Sequence, residues 1–152
     1  MLGAPPEQSE QPAAALSRLD PAPLASQMKH KTASHMVEAI FLCCPAKLYD
    51  PLFKSLSSSF PGLCVNPIAN YAAQSLIAAA PAARNVGDLF HTLKGSLEDC
   101  LLRGRSGVAC LLVAACAAWR VECEDCCSVV QAAFPDGVRS TCGAILSAVA
   151  GH

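Results

Sequence analysis

Ser34-His35-Met36-Val37-Glu38-Ala39-Ile40 and Asn70-Tyr71-Ala72-Ala73-Gln74-Ser75-Leu76 are two copies of one pattern. Each opens on a small polar residue, sets a flat ring beside it, places an acid or amide three residues after the ring and closes on an aliphatic side chain. The step from Ser34 to Asn70 is 36 positions, and the same step leads on to Ser106-Gly107-Val108-Ala109-Cys110-Leu111-Leu112 and then to Cys142-Gly143-Ala144-Ile145-Leu146-Ser147-Ala148. A fixed period of this length marks stacked repeats, each too small to bury its own apolar face alone. The polar positions fade toward the last copy while the helical pattern persists.

The segments around these blocks are short helices separated by turns. Met36, Val37, Ile40 and Phe41 recur at helical spacing from Thr32 to Cys44, and Pro45 closes that segment. A second helix is expected with Asp50 as its cap, Pro51 in its first turn, an apolar stripe of Leu52, Phe53, Leu56 and Phe60, and Pro61-Gly62 at its end. Asn66-Pro67 opens a third, which runs to about Ala80 and stops at Pro81. Val86 to Leu93, Ser96 to Leu102, Gly107 to Trp119 and Glu122 to Phe134 continue the series.

Composition agrees with an all-α class. Hydrophobic residues make up 53% of the 152 residues and aromatic ones only 5%, which favours helices packed through small and branched side chains. Eleven basic against twelve acidic residues leave a formal charge of −1, without the broad positive surface of a duplex DNA binder. Lys29, His30 and Lys31 form one small basic cluster that can touch a phosphate, although such a run more often forms a solvated face. Residues 1–25, rich in proline, alanine, glutamine and glutamate, read as a disordered leader, residues 26–134 as about three repeat units, and residues 135–152 as a truncated or divergent fourth. The start carries no cationic and apolar signal, and the apolar run Val108 to Trp119 is too short to span a bilayer, so a soluble protein with no membrane partner is expected.

Ten cysteines would make a disulfide scaffold in a small secreted chain; here they read as reduced, buried small hydrophobes. Cys123, Cys126 and Cys127 have metal-like spacing, but a structural zinc site needs a second pair that Cys142 alone does not supply. No metal and no cofactor are expected.

On a helix, Asn70, Tyr71 and Gln74 share one arc, as do Ser34, His35 and Glu38. Asn and Gln amides can engage the Watson–Crick edge of a pyrimidine, a carboxylate can accept from guanine N–H groups, and the two rings offer stacking surfaces. Taken singly, Asn70 and Gln74 fit a solvated face, Tyr71 a core aromatic and His35 a surface histidine. Two triads in one register favour a shared ligand.

These blocks resemble the base-reading segments of Pumilio (Puf) repeats, and Lys31 to Glu38 with Asn66 to Tyr71 and Gln74 are most similar to the nucleolar protein nine branch, over roughly Lys31 to Cys116. The resemblance implies an armadillo-like α-solenoid of three-helix repeats, here a fragment, whose inner helices line a concave face for single-stranded RNA. By it, Ser34, His35 and Glu38 would meet guanine, and Asn70, Tyr71 and Gln74 uracil. It further implies pre-ribosomal RNA as partner in maturation of the small-subunit (18S) rRNA, nucleolar residence, pre-ribosomal proteins nearby and no catalysis. In the third unit Gly107 removes the ring and Cys110 is a poor hydrogen-bonding group, so Ser106 stands without neighbours to read a base.

Other classes fit the pattern less well. A HEAT-like scaffold binding protein would have no need of Asn70, Tyr71 and Gln74 as a unit, and a cysteine-rich module would bind zinc tightly. Gly104-Arg105-Ser106-Gly107 fits the loop of a KH domain, which requires flanking strands that the pattern here lacks. No Walker-type loop, His-Glu-x-x-His or nucleophile elbow points to an enzyme.

Overall fold

Three helices build each unit, and the units repeat. The computed structural model describes residues 21–134, and the fourth unit expected over 135–152 lies outside them, as do residues 1–20. Among the described residues the helices are α1 (Pro21–Lys29), α2 (Ala33–Leu42), α3 (Ala46–Leu56), α4 (Phe60–Val65), α5 (Ala69–Ala78), α6 (Ala83–Leu93), α7 (Leu97–Leu102), α8 (Ser106–Trp119) and α9 (Cys123–Ala132), with no strand. They form three rows. The middle members α2, α5 and α8 pack side by side as an inner row, and α1, α4 and α7 line up against them as a second row. The third members α3 and α6 stand farther apart and meet through Asp50, Arg84 and Asn85, so the stack is tight along the inner row and more open along the outer one.

Helix α1 begins at Pro21, inside the segment that composition had assigned to the leader, because its proline suits a first turn and its far end delivers Met28 to the core at 0% exposure. The second helix also departs from expectation. Asp50 does not cap it and Pro51 does not open it: α3 starts at Ala46, behind an extended Pro45, and Pro51 lies within it. Burial decides this. The extra turn carries Tyr49 into the core, and its hydroxyl donates to the Leu76 carbonyl at 3.0 Å, satisfying one of the carbonyls left over at the end of α5. Pro61-Gly62 likewise sits in the first turn of α4 and does not end α3.

Two inner helices start on matching side-chain caps. Asn66 Oδ1 accepts from the backbone N–H groups of Ile68 and Ala69 at 2.9 and 3.0 Å. One repeat earlier, His30 Nδ1 accepts from those of Thr32 and Ala33 at 3.3 and 3.2 Å. His30, first grouped with Lys29 and Lys31 as a phosphate contact, therefore shapes the entry into α2.

Equivalent positions show how stacking buries the units. Ala72 and Leu76 on α5, like Val108 and Leu112 on α8, are 0% exposed, whereas Met36 and Ile40 in the same register on α2 are 69% and 57% exposed. Cysteines serve as small core residues between rows: Cys64 and Cys100 are both buried, and burial raises both thiols, Cys100 to about 11 with help from Asp99, which leaves them protonated and unreactive near neutral pH. Cys116 and Cys126 pair in the core where α9 packs on α8, while Cys123 Sγ donates to the Cys116 carbonyl at 3.2 Å. Among the described residues no group of three or more His, Cys, Asp or Glu side chains is placed to hold a metal ion, and no helix is long and apolar enough to cross a membrane.

Truncation to alanine at equivalent positions should therefore have unequal costs. Leu76→Ala is expected to lower unfolding free energy by about 2–5 kcal/mol through the cavity it leaves. Ile40→Ala is expected to change it by about 0.5 kcal/mol or less. Urea denaturation of the two variants checks both.

Candidate nucleic-acid interface

The inner row brings the sequence-predicted residues onto neighbouring helices, Ser34, His35 and Glu38 on α2 and Asn70, Tyr71 and Gln74 on α5, but it does not present them equally. The first member of each triad faces inward. Ser34 and Asn70 are each 2% exposed; Ser34 Oγ points to the Lys31 carbonyl at 3.4 Å, and the Asn70 amide nitrogen donates to the carbonyls of Asn66 and Pro67 at 2.9 and 3.1 Å. Both amide hydrogens of Asn70 are thus committed to the turn that leads into α5.

The second member faces outward. Tyr71 is 56% exposed, and His35 is exposed on the preceding helix. Both rings stand free enough to take a flat ligand on one face. The third member is half-buried, and on α5 it is held by a neighbour. Gln74 Nε2 donates to Asn70 Oδ1 at 3.0 Å, leaving its second N–H and its carbonyl oxygen for another group. In the first unit the partner differs: Glu38 Oε1 lies 3.4 Å from His35 Nδ1 and makes no hydrogen bond of normal geometry although the atom is buried.

The third unit follows its sequence. Ser106 and Cys110 are exposed at the start of α8, and Gly107 offers no ring. Gly104 and Arg105 lie in the turn between α7 and α8, with Gly104 at φ +72°, a value glycine adopts without strain, and Ser106-Gly107 opens α8. What sequence reasoning missed here is the contact between Gly107 and Gln74. A Cβ at position 107 would come within 2.5 Å of Gln74 Oε1. The signal was visible as a glycine in the ring register, but its meaning needed the distance between two helices.

A groove of about 520 Å³ opens elsewhere, between the splayed outer helices α3 and α6, lined by Asp50, Lys54, Arg84, Asp88 and His91 among others. Its floor is closed by hydrogen bonds from Arg84 and from the buried Asn85 amide to the Asp50 carboxylate. Of its charged groups Asp50 pairs with Arg84, and His91 Nε2 lies 3.3 Å from Glu122 Oε1.

Comparison with known proteins agrees with this architecture. The NOP9-like PUF repeat domain model matches residues 6–149. The chain is 31% identical to Pumilio homolog 23 of Arabidopsis thaliana over 111 residues, 72% of this chain and 15% of that protein, and 31% identical to human Nucleolar protein 9 over 101 residues, 66% of this chain and 16% of that protein. It therefore spans about a sixth of the length of these relatives. The solved structure of APUM23-GGAGUUGACGG superposes with a TM-score of 0.68 at 30% identity, covering 72% of this chain and 21% of that one. The chain belongs to the NOP9-like PUF repeat family, and its fold is that of Pumilio repeats.

Burial separates a supporting residue from a presenting one, and stability should report the difference. Asn70→Ala is expected to cost about 1–3 kcal/mol because it removes two buried hydrogen bonds and strands the Gln74 N–H. Tyr71→Ala is expected to stay within about 0.5 kcal/mol of the parent, as exposed substitutions do. Thermal or urea unfolding of each variant measures this.

Proposed function

We propose that this member of the NOP9-like PUF family binds single-stranded RNA along its inner row, with α2 and α5 each meeting one base. One observation carries the proposal: two neighbouring inner helices present, in the same register, an exposed ring beside a half-buried polar group, which on α5 is held by a hydrogen bond to Asn70. Tyr71 and His35 would stack on bases; Gln74 would pair with the Watson–Crick edge of uracil and Glu38 would accept from guanine. Asn70 and Ser34 act behind them, Asn70 by orienting Gln74.

Names of the relatives extend this to biology. Nucleolar protein 9 places a family member in the nucleolus, and the sequence in the solved APUM23 structure contains two adjacent uracils. We therefore assign this chain to pre-ribosomal RNA, with maturation of the small-subunit (18S) rRNA as the process, pre-ribosomal proteins as neighbours and no catalysis of its own. The near-neutral composition fits a site that reads bases more than one that attracts phosphate alone.

Fluorescence anisotropy with labelled GGAGUUGACGG tests the proposal. The 152-residue chain is expected to bind it more tightly than the same RNA with both uracils replaced by cytosine, and Tyr71→Ala/Gln74→Ala is expected to weaken binding about tenfold or more while remaining helical. A folded double variant that keeps the parent's affinity and its preference for the uracil RNA would remove α5 from the RNA site.

A further inference from the structure

The end of the Gln74 side chain occupies space that any side chain on the next inner helix would fill. A Cβ at Gly107 would stand 2.5 Å from Gln74 Oε1, 2.8 Å from Cδ and 2.9 Å from Nε2, all well inside van der Waals contact. The backbone does not ask for glycine here: Gly104 is the one glycine with positive φ among the described residues, and a glycine within a helix is less favourable than alanine. What uses the missing side chain at position 107 is the Gln74 amide.

That amide is also fixed from behind. The Asn70 nitrogen is committed to the carbonyls of Asn66 and Pro67, so its oxygen is the atom turned to Gln74, and Gln74 must present Nε2 to it. The orientation has a chemical consequence. A primary amide that rotates freely can pair with uracil through O4 and N3–H, or with cytosine through N3 and the N4 amino group, simply by exchanging its donor and acceptor ends. An amide that cannot rotate offers one arrangement only. Discrimination between the two pyrimidines then depends on what holds the amide still, and less on its mere presence.

We propose that Gly107 is a specificity-determining position: by carrying no side chain it seats the Gln74 amide against α8 in the orientation set by Asn70, and so lets α5 distinguish uracil from cytosine. This rests on α5 reading a base. Gly107 touches no base itself; it acts through Gln74. An added methyl group would meet the far end of a flexible side chain, which can swing aside at little cost to the fold. Gly107→Ala should therefore separate recognition from stability.

The test uses the full chain as wild type, Gly107→Ala and Gln74→Ala, with GGAGUUGACGG and GGAGCCGACGG as probes, together with thermal unfolding and the ¹⁵N side-chain amide signals. Gly107→Ala is expected to keep or raise the melting temperature, to shift the Gln74 amide signal and to reduce the uracil-over-cytosine ratio about tenfold, with a smaller loss of affinity for the uracil RNA. An unchanged ratio in Gly107→Ala, beside a lost ratio in Gln74→Ala, would overturn the role of Gly107 and leave base reading by α5 intact. A ratio unaffected by Gln74→Ala would overturn base reading itself. A melting temperature lowered by Gly107→Ala would make Gly107 a packing residue and overturn the inference.

Discussion

Close lateral packing of the inner row is the constraint on which the remaining geometry depends. Helix α5 is flanked by α2 on one side and α8 on the other, and it tolerates both neighbours because Ala69, Ala72 and Ala73 keep its flanks thin while Leu76 and Ile77 fill the remaining space. Small residues here trade buried area per side chain for close approach of the backbones, and area is recovered because α5 is covered on both sides. The outer helices carry Leu52, Phe53, Leu56 and Leu89, Phe90, Leu93 into the core from behind. Bulk on that side and alanine on the other open the stack outward, which is where the groove between α3 and α6 lies.

Register along the inner row then sets which side chains are exposed. Once Ala73 and Ile77 are buried, the arc containing Tyr71 must point out, and Asn70 must point into the turn that precedes α5. Gln74 lies at the edge between them, close enough to Asn70 to be held and close enough to α8 to be confined. Position, orientation and exposure of the polar group are consequences of the same packing that stabilises the unit.

Much of this was legible in the sequence, because the 36-residue step falls on the inner helices, whose apolar and polar positions are both constrained. The outer helices were harder. Tyr49-x-x-Leu52-Phe53-x-x-Leu56 and Val86-x-x-Leu89-Phe90-x-x-Leu93 repeat one another at 37 positions, one residue out of phase with the inner step, and the proline at 51 invited a helix start where the chain has a helix interior. Local propensity gave way to the burial of Tyr49. His30 looked like part of a charge cluster until its backbone partners placed it beside Asn66 as a cap. The triads were found as sets of residue types, yet their division into buried, presenting and oriented members depends on distances between helices that no single helix encodes.

The most direct measurement is photo-crosslinking of the 152-residue chain to GGAGUUGACGG carrying 4-thiouridine at each uracil in turn, followed by mass spectrometry of the crosslinked peptide. Recognition by the inner row predicts a crosslink within α5, at Tyr71 or beside it. Crosslinks confined to the groove between α3 and α6, around Lys54, Arg84 or His91, would contradict it.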